Sequence, residues 1–108
     1  MYGPQDMADL MTAATGDIYT VEEIQEIGRR RLNLMRAYNA REGLTRDQDT
    51  LPKKLYTQPL TGGRSDGVHI PEEEFQAALD MYYAQAGWDN NGTPTRETLE
   101  AVGLGWAA

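Results

Sequence analysis

With 108 residues, 40% hydrophobic and 25% charged, the chain has the size and balance of one folded domain and not of a disordered segment. Its net charge of -7 works against nucleic-acid binding, because phosphate neutralisation by Lys and Arg supplies most of that affinity. No run approaches the roughly eighteen apolar residues of a membrane span, and the absence of cysteine excludes disulfides, thiolate zinc sites and cysteine-ligated clusters in this chain.

The first predicted helix covers residues 4–15, with Met7, Leu10, Met11 and Ala14 on one face and Gly16 as its left-handed stop. The second opens on a capping box, Thr20 with Glu23, and Tyr19 and Ile24 have the spacing of a hydrophobic staple. Ile24, Ile27, Leu32, Leu34, Met35 and Tyr38 then form an apolar stripe at helical period, with Arg29, Arg30 and Arg36 on the other faces. Gly28 inside this helix costs about 1 kcal/mol relative to Ala, and a close helix crossing is the expected compensation. The helix ends at Gly43.

Residues 44–70 read as a long connection without regular structure, punctuated by Pro52, Pro59, Gly62, Gly63 and Gly67. The third helix begins at Pro71, with Glu72, Glu73 and Glu74 in the turn where the helix dipole favours acids. Phe75, Ala78, Leu79, Tyr82 and Ala86 are its expected buried stripe, and Gly87 its end; Tyr83 and Trp88 are left for an interface. After a polar turn, Thr95 caps a short last helix carrying Leu99 and Val102, with Gly103-Leu104 in Schellman positions. The expected fold is all-α: one domain over 1–108, a small orthogonal bundle of about four helices with a long irregular connection between the second and third.

Charge is unevenly placed. Residues 1–28 sum to -6, residues 29–54 to +5 and residues 55–108 to -6. The chemistry-bearing patterns are weak. Asp89, Asn91, Thr93, Glu97 and Glu100 have calcium-loop spacing, but Pro94 stands where that loop needs glycine, so a turn feeding a capped helix accounts for them better. Asp47 and Asp49 find no imidazole or third carboxylate nearby in sequence, and capping and local ion pairs are the expected roles. His69 precedes the third helix with no adjacent orienting partner, as an exposed loop residue would.

The ordered series Ala14-Thr15-Gly16, Glu22-Glu23, Gly28-Arg29-Arg30, Asn33-Leu34, Asn39-Ala40-Arg41-Glu42-Gly43, Asp49-Thr50-Leu51-Pro52, Tyr82-Tyr83, Gly87-Trp88-Asp89 and Gly92-Thr93-Pro94-Thr95 resembles the C-terminal end of the tungsten-containing aldehyde ferredoxin oxidoreductases. The similarity runs from about Leu10 to Leu104. It implies a larger parent that oxidises aldehydes to carboxylic acids with water. Its tungsten or molybdenum would sit in a bis-pterin cofactor, and electrons would pass through one 4Fe-4S iron–sulfur cluster to ferredoxin. The family's last cluster cysteine and its acidic pterin-binding motif lie upstream of the matched region. No catalytic, cofactor or metal residue therefore carries over to any position of this chain, which by itself is expected to be inactive.

The resemblance implies a structural role: packing against the cofactor-bearing domains and closing one side of the active-site or substrate channel. A cytoplasmic, reducing compartment is the simplest reading of a chain without cysteine. Asn39, Arg41 and Trp88 are the residues expected to face the rest of the enzyme. An apolar patch should be exposed where those domains dock, unless self-association covers it. The competing reading is an independent α-helical binding module that uses the basic strip of Arg29–Arg31 and Lys53–Lys54 toward an anionic partner.

Overall fold

The computed structural model describes residues 2–108, and among them the regular structure is helical. Helix α1 spans Pro4–Thr15, α2 Val21–Arg41, α3 Lys53–Thr57, α4 Glu72–Ala86 and α5 Arg96–Ala101, with short 3-10 turns at Arg46–Gln48, Gly63–Ser65 and Gly105–Ala107. The fold is therefore all-α. The fifth helix, α3, falls inside the connection expected to be irregular. It is five residues long, too short to show a hydrophobic period, and it follows directly on Pro52. The chain around it is tied down by Tyr56, whose hydroxyl accepts from the Leu51 N–H at 2.9 Å and whose ring packs 5.8 Å from that of Phe75.

The helix boundaries follow local chemistry. Thr20 Oγ1 accepts from the Glu23 N–H at 3.2 Å, and the Glu23 carboxylate accepts from the Thr20 N–H at 2.7 Å, completing the capping box. At the far end of α2 the Leu44 and Gly43 N–H groups donate to Asn39 and Ala40 carbonyls at 2.9 and 3.0 Å, with Gly43 at φ +92°. This is a Schellman ending, which glycine enters without a Cβ clash. The same pair of bonds ends α5, where Leu104 donates to Leu99 at 2.7 Å and Gly103 to Glu100 at 3.0 Å. Pro71 lies one residue earlier than expected, as the flanking residue of α4 and not its first helical one.

Faces came out differently from boundaries. α1 packs on α2 with Ala8 fully buried, while Met7 and Leu10 are 46% and 63% exposed. A lone helix–helix contact covers a narrow strip, and the small residue occupies it. On α2 the expected buried stripe points outward: Ile27, Leu32, Leu34, Met35 and Tyr38 are all exposed, and only Ile24 is half-buried. The side facing α4, α5 and the C-terminal turn carries Asn33 and Arg36 instead. No atom comes within 4 Å of a Cβ built on Gly28, so no close crossing offsets its cost. On α4 the buried aromatic is Tyr83, and Tyr82 is exposed.

The apolar core is correspondingly small, with Leu99 and Leu104 its largest fully buried side chains. The chain extends over 50 × 36 × 20 Å with a radius of gyration of 18.1 Å. A compact domain of this length would have about 13 Å. Its accessible surface is 8331 Å², against about 6,000 Å² for a compact monomer of its mass.

Candidate functional site

The best-defined constellation is polar and joins four segments distant in sequence. Arg36, in the middle of α2, donates from Nε to the Gly92 carbonyl at 2.5 Å and from Nη1 to Asp49 Oδ1 at 2.9 Å. Nη2 closes a second bond to Asp49 Oδ2, making a bidentate pair. The Tyr83 hydroxyl of α4 donates to the same Oδ2. The guanidinium carbon of Arg36 lies 5.0 Å from the Trp88 ring centroid, within cation–π range. Trp88 Nε1 donates to Asn33 Oδ1 at 2.8 Å, and Asn33 Nδ2 donates to the Arg29 carbonyl at 3.0 Å.

A second arginine extends the cluster. Arg46, in the 3-10 turn after α2, donates from Nη1 to Asp80 Oδ1 at 2.6 Å and from Nη2 to Gln76 Oε1 at 2.8 Å. Its guanidinium lies 5.4 Å from the Tyr83 ring centroid. Arg36 and Arg46 thus pin the connecting segment and the Gly92 turn onto α2 and α4. Among the described residues every buried side-chain polar atom has a partner, the condition under which a polar interior stabilises a fold.

Gly92 is needed at the centre of this cluster. It sits at φ +76°, and a Cβ there would overlap Arg36 Nη2 and stand 2.8 Å from Tyr83 Cζ. The turn that delivers it is held by Asp89, whose Oδ1 accepts from the Asn91 and Thr93 N–H groups at 2.9 Å each. That turn leads into α5, where Thr95 Oγ1 caps the helix by accepting from Thr98 N at 3.2 Å. The calcium-like spacing is accounted for by this turn and cap.

The electrostatics keep each group in its ordinary protonation state at neutral pH. The hydrogen bond from Arg36 holds the Asp49 carboxyl below the usual carboxylate range, and Tyr83 adds to the effect against burial. Burial opposes the charge on Arg36, but its bonds to Asp49 outweigh that and raise it. Burial and the bond to Asp49 push the Tyr83 phenol up to about 12. Both Asp49 oxygens are engaged by Arg36 and Tyr83, so no free base or nucleophile is poised here. The cluster is a clamp. A cleft of about 420 Å³ opens beside it, lined by Arg36, Asp49, Thr50, Phe75, Tyr82 and Trp88 among others.

Of the residues expected to face a larger enzyme, Trp88 is half-buried at the clamp. Asn39 is half-buried and lends its carbonyl to the Gly43 helix end. Arg41 is exposed on a separate cleft of about 540 Å³ that also involves Pro94 and Trp106. His69 is an exposed loop residue. Sequence reading missed the partnership of Arg36 with Asp49 and Tyr83 because the partners are 13 and 47 residues away. The one available signal was an arginine standing between apolar positions, Leu34-Met35 before it and Ala37-Tyr38 after.

The donor set does not fit an iron–sulfur or metal centre. The chain has no cysteine, and no group of three or more His, Asp or Glu gathers among the described residues. A family model described as aldehyde ferredoxin oxidoreductase, domains 2 and 3, matches residues 1–104. The chain belongs to the aldehyde ferredoxin oxidoreductase family. The tungsten-containing aldehyde ferredoxin oxidoreductase of Pyrococcus furiosus is 36% identical over 104 residues, covering 94% of this chain and 16% of that protein. An aliphatic sulfonate oxidoreductase, WOR-like subunit, from the same organism is 31% identical over 111 residues, covering 97% of this chain and 18% of that protein. Among solved structures, the active-site complex BamBC of benzoyl coenzyme A reductase with 1,5-dienoyl-CoA superposes with a TM-score of 0.76 at 28% identity, over 98% of this chain and 14% of that one. The chain thus spans less than a fifth of the length of these relatives. No helix of the described residues is long and apolar enough to cross a membrane.

Proposed function

We propose that this chain is the C-terminal helical domain of an aldehyde ferredoxin oxidoreductase-like enzyme and serves it structurally, closing one side of the substrate channel. The whole enzyme would oxidise aldehydes to carboxylic acids in the cytoplasm and pass the electrons through an iron–sulfur cluster to ferredoxin. The tungsten or molybdenum pterin and the cluster would be held by residues outside this chain. Asn39, Arg41 and Trp88 would be turned toward those other parts.

One observation carries the reading. The accessible surface of 8331 Å² exceeds that of a compact monomer by about 2,300 Å². That is the size of an obligate interface and not of a transient one. The polar clamp fits the same reading, because it holds an extended set of helices in one arrangement where little apolar core exists to do so. Purified alone, the chain should carry no stoichiometric tungsten, molybdenum or iron by elemental analysis and should not oxidise aldehydes. Stoichiometric metal in the isolated chain would overturn the reading.

A further inference from the structure

Helix α2 is built inside out for a protein standing alone. Its inward side carries Asn33 and Arg36, both fully occupied by Trp88, Asp49 and Gly92. At 3.6 residues per turn, Ile27, Leu34 and Tyr38 fall within about 40° of one another, roughly 150° away from that inward side. They are 51%, 38% and 63% exposed, and Met35 flanks the same face at 49%. Soluble helices place such a stripe toward a core. Here the core side is already filled by polar partners, and the stripe is left open apart from the Ile27 edge, which borders a cleft with Tyr19 and Val102. Arg31 lies on this face, is exposed, and takes part in no ion pair among the described residues.

Resting on the reading above, we propose that the outward face of α2, centred on Ile27, Leu34 and Tyr38, seats an apolar surface of the remaining part of the same oxidoreductase, with a carboxylate on that surface meeting Arg31. The occupant follows from the length relation: the relatives carry more than four-fifths of their residues outside the matched segment, and the excess surface is of the size such a body would cover. Arg31 sets the chemistry. A guanidinium among four apolar side chains (Ile27, Leu34, Met35 and Tyr38) is desolvated when the face is covered, and a buried charge needs an opposite partner.

The test uses the absence of cysteine in this chain. Leu34→Cys is made in the isolated chain and in the Pyrococcus furiosus enzyme carrying this chain in place of its matched segment, and maleimide labelling is followed at that peptide by mass spectrometry. In the isolated chain the thiol should label at the rate of an exposed cysteine. In the full-length chimera it should slow by about 100-fold or more, since labelling then waits for rare opening. Arg31→Glu should lower the melting temperature of the chimera, and Arg31→Lys should lower it less. Equal labelling in a chimera that retains tungsten would overturn this inference and leave the family role standing. A chimera that cannot assemble as a tungsten-containing enzyme would overturn the family role and this inference with it. A monomer–dimer equilibrium of the isolated chain that protects the introduced thiol would assign the face to a second copy and likewise overturn it.

Discussion

Replacing Gly92 by alanine isolates the cost of disturbing the clamp. At φ +76° the backbone conformation costs an alanine about 1 kcal/mol. The added methyl would also overlap Arg36 Nη2 and crowd Tyr83 Cζ at 2.8 Å. Arg36 cannot move away without loosening its bonds to Gly92 and Asp49, and charge-assisted hydrogen bonds contribute about 1.5–3 kcal/mol each. A total of about 3–4 kcal/mol is expected from these two parts together. Gly43→Ala is the control, because Gly43 has φ +92° but nothing within 4 Å of its Cβ site. It should lose only the conformational part, about 1 kcal/mol. Urea unfolding followed by circular dichroism at the helix band gives both values. Equal losses in the two variants would refute the steric argument and with it the central place of Arg36.

Further outcomes follow from the same cluster. Asp49→Ala should cost about 2–3 kcal/mol by leaving Arg36 unpaired with its side chain only 11% exposed; Arg36→Met combined with Asp49→Leu should cost less than the two single losses added, measured as a double-mutant cycle. Stability should fall at both extremes of pH. Asp49, depressed in the folded state, stabilises above its unfolded pKa, and this is lost as pH falls through the lower folded value. Tyr83, raised to about 12, stabilises fully below its unfolded value near 10, and this is lost as pH rises through that window. Denaturant titrations from strongly acidic to strongly alkaline pH would show a plateau between these arms, and a flat alkaline limb would refute the Tyr83 assignment. Tyr83→Phe should cost the isolated chain about 1.5–3 kcal/mol through its lost bond to a carboxylate. Tyr82→Ala, at a half-exposed ring, should cost about 1 kcal/mol or less.

The ends of the helices were legible because their causes are local. The Thr20–Glu23 box, the glycine stops at 16, 43, 87 and 103, and the Thr95 cap each involve atoms a few residues apart. The direction each helix faces was not. Periodicity on α2 finds an apolar stripe but cannot say whether the body it packs on lies within the same chain. The sequence pattern places Arg36 off the apolar stripe and names no partner, because Asp49 and Gly92 meet it only when the connecting segment and the turn fold back. The choice of Tyr83 over Tyr82 as the buried ring depended on the same meeting.

By itself, then, the sequence determined the helical class, the helix limits and, through ordered short motifs, membership of an oxidoreductase family. It also determined what chemistry the chain lacks, since no spacing can supply a missing cysteine. The tertiary structure alone decided that a bidentate arginine, a tyrosine and a tryptophan hold the interior while the apolar face of α2 looks outward. The physical reason is that hydrogen bonds at helix ends are fixed by neighbouring residues. Burial is a property of whatever body arrives from elsewhere in space, and the spacing of residues along α2 does not name that body.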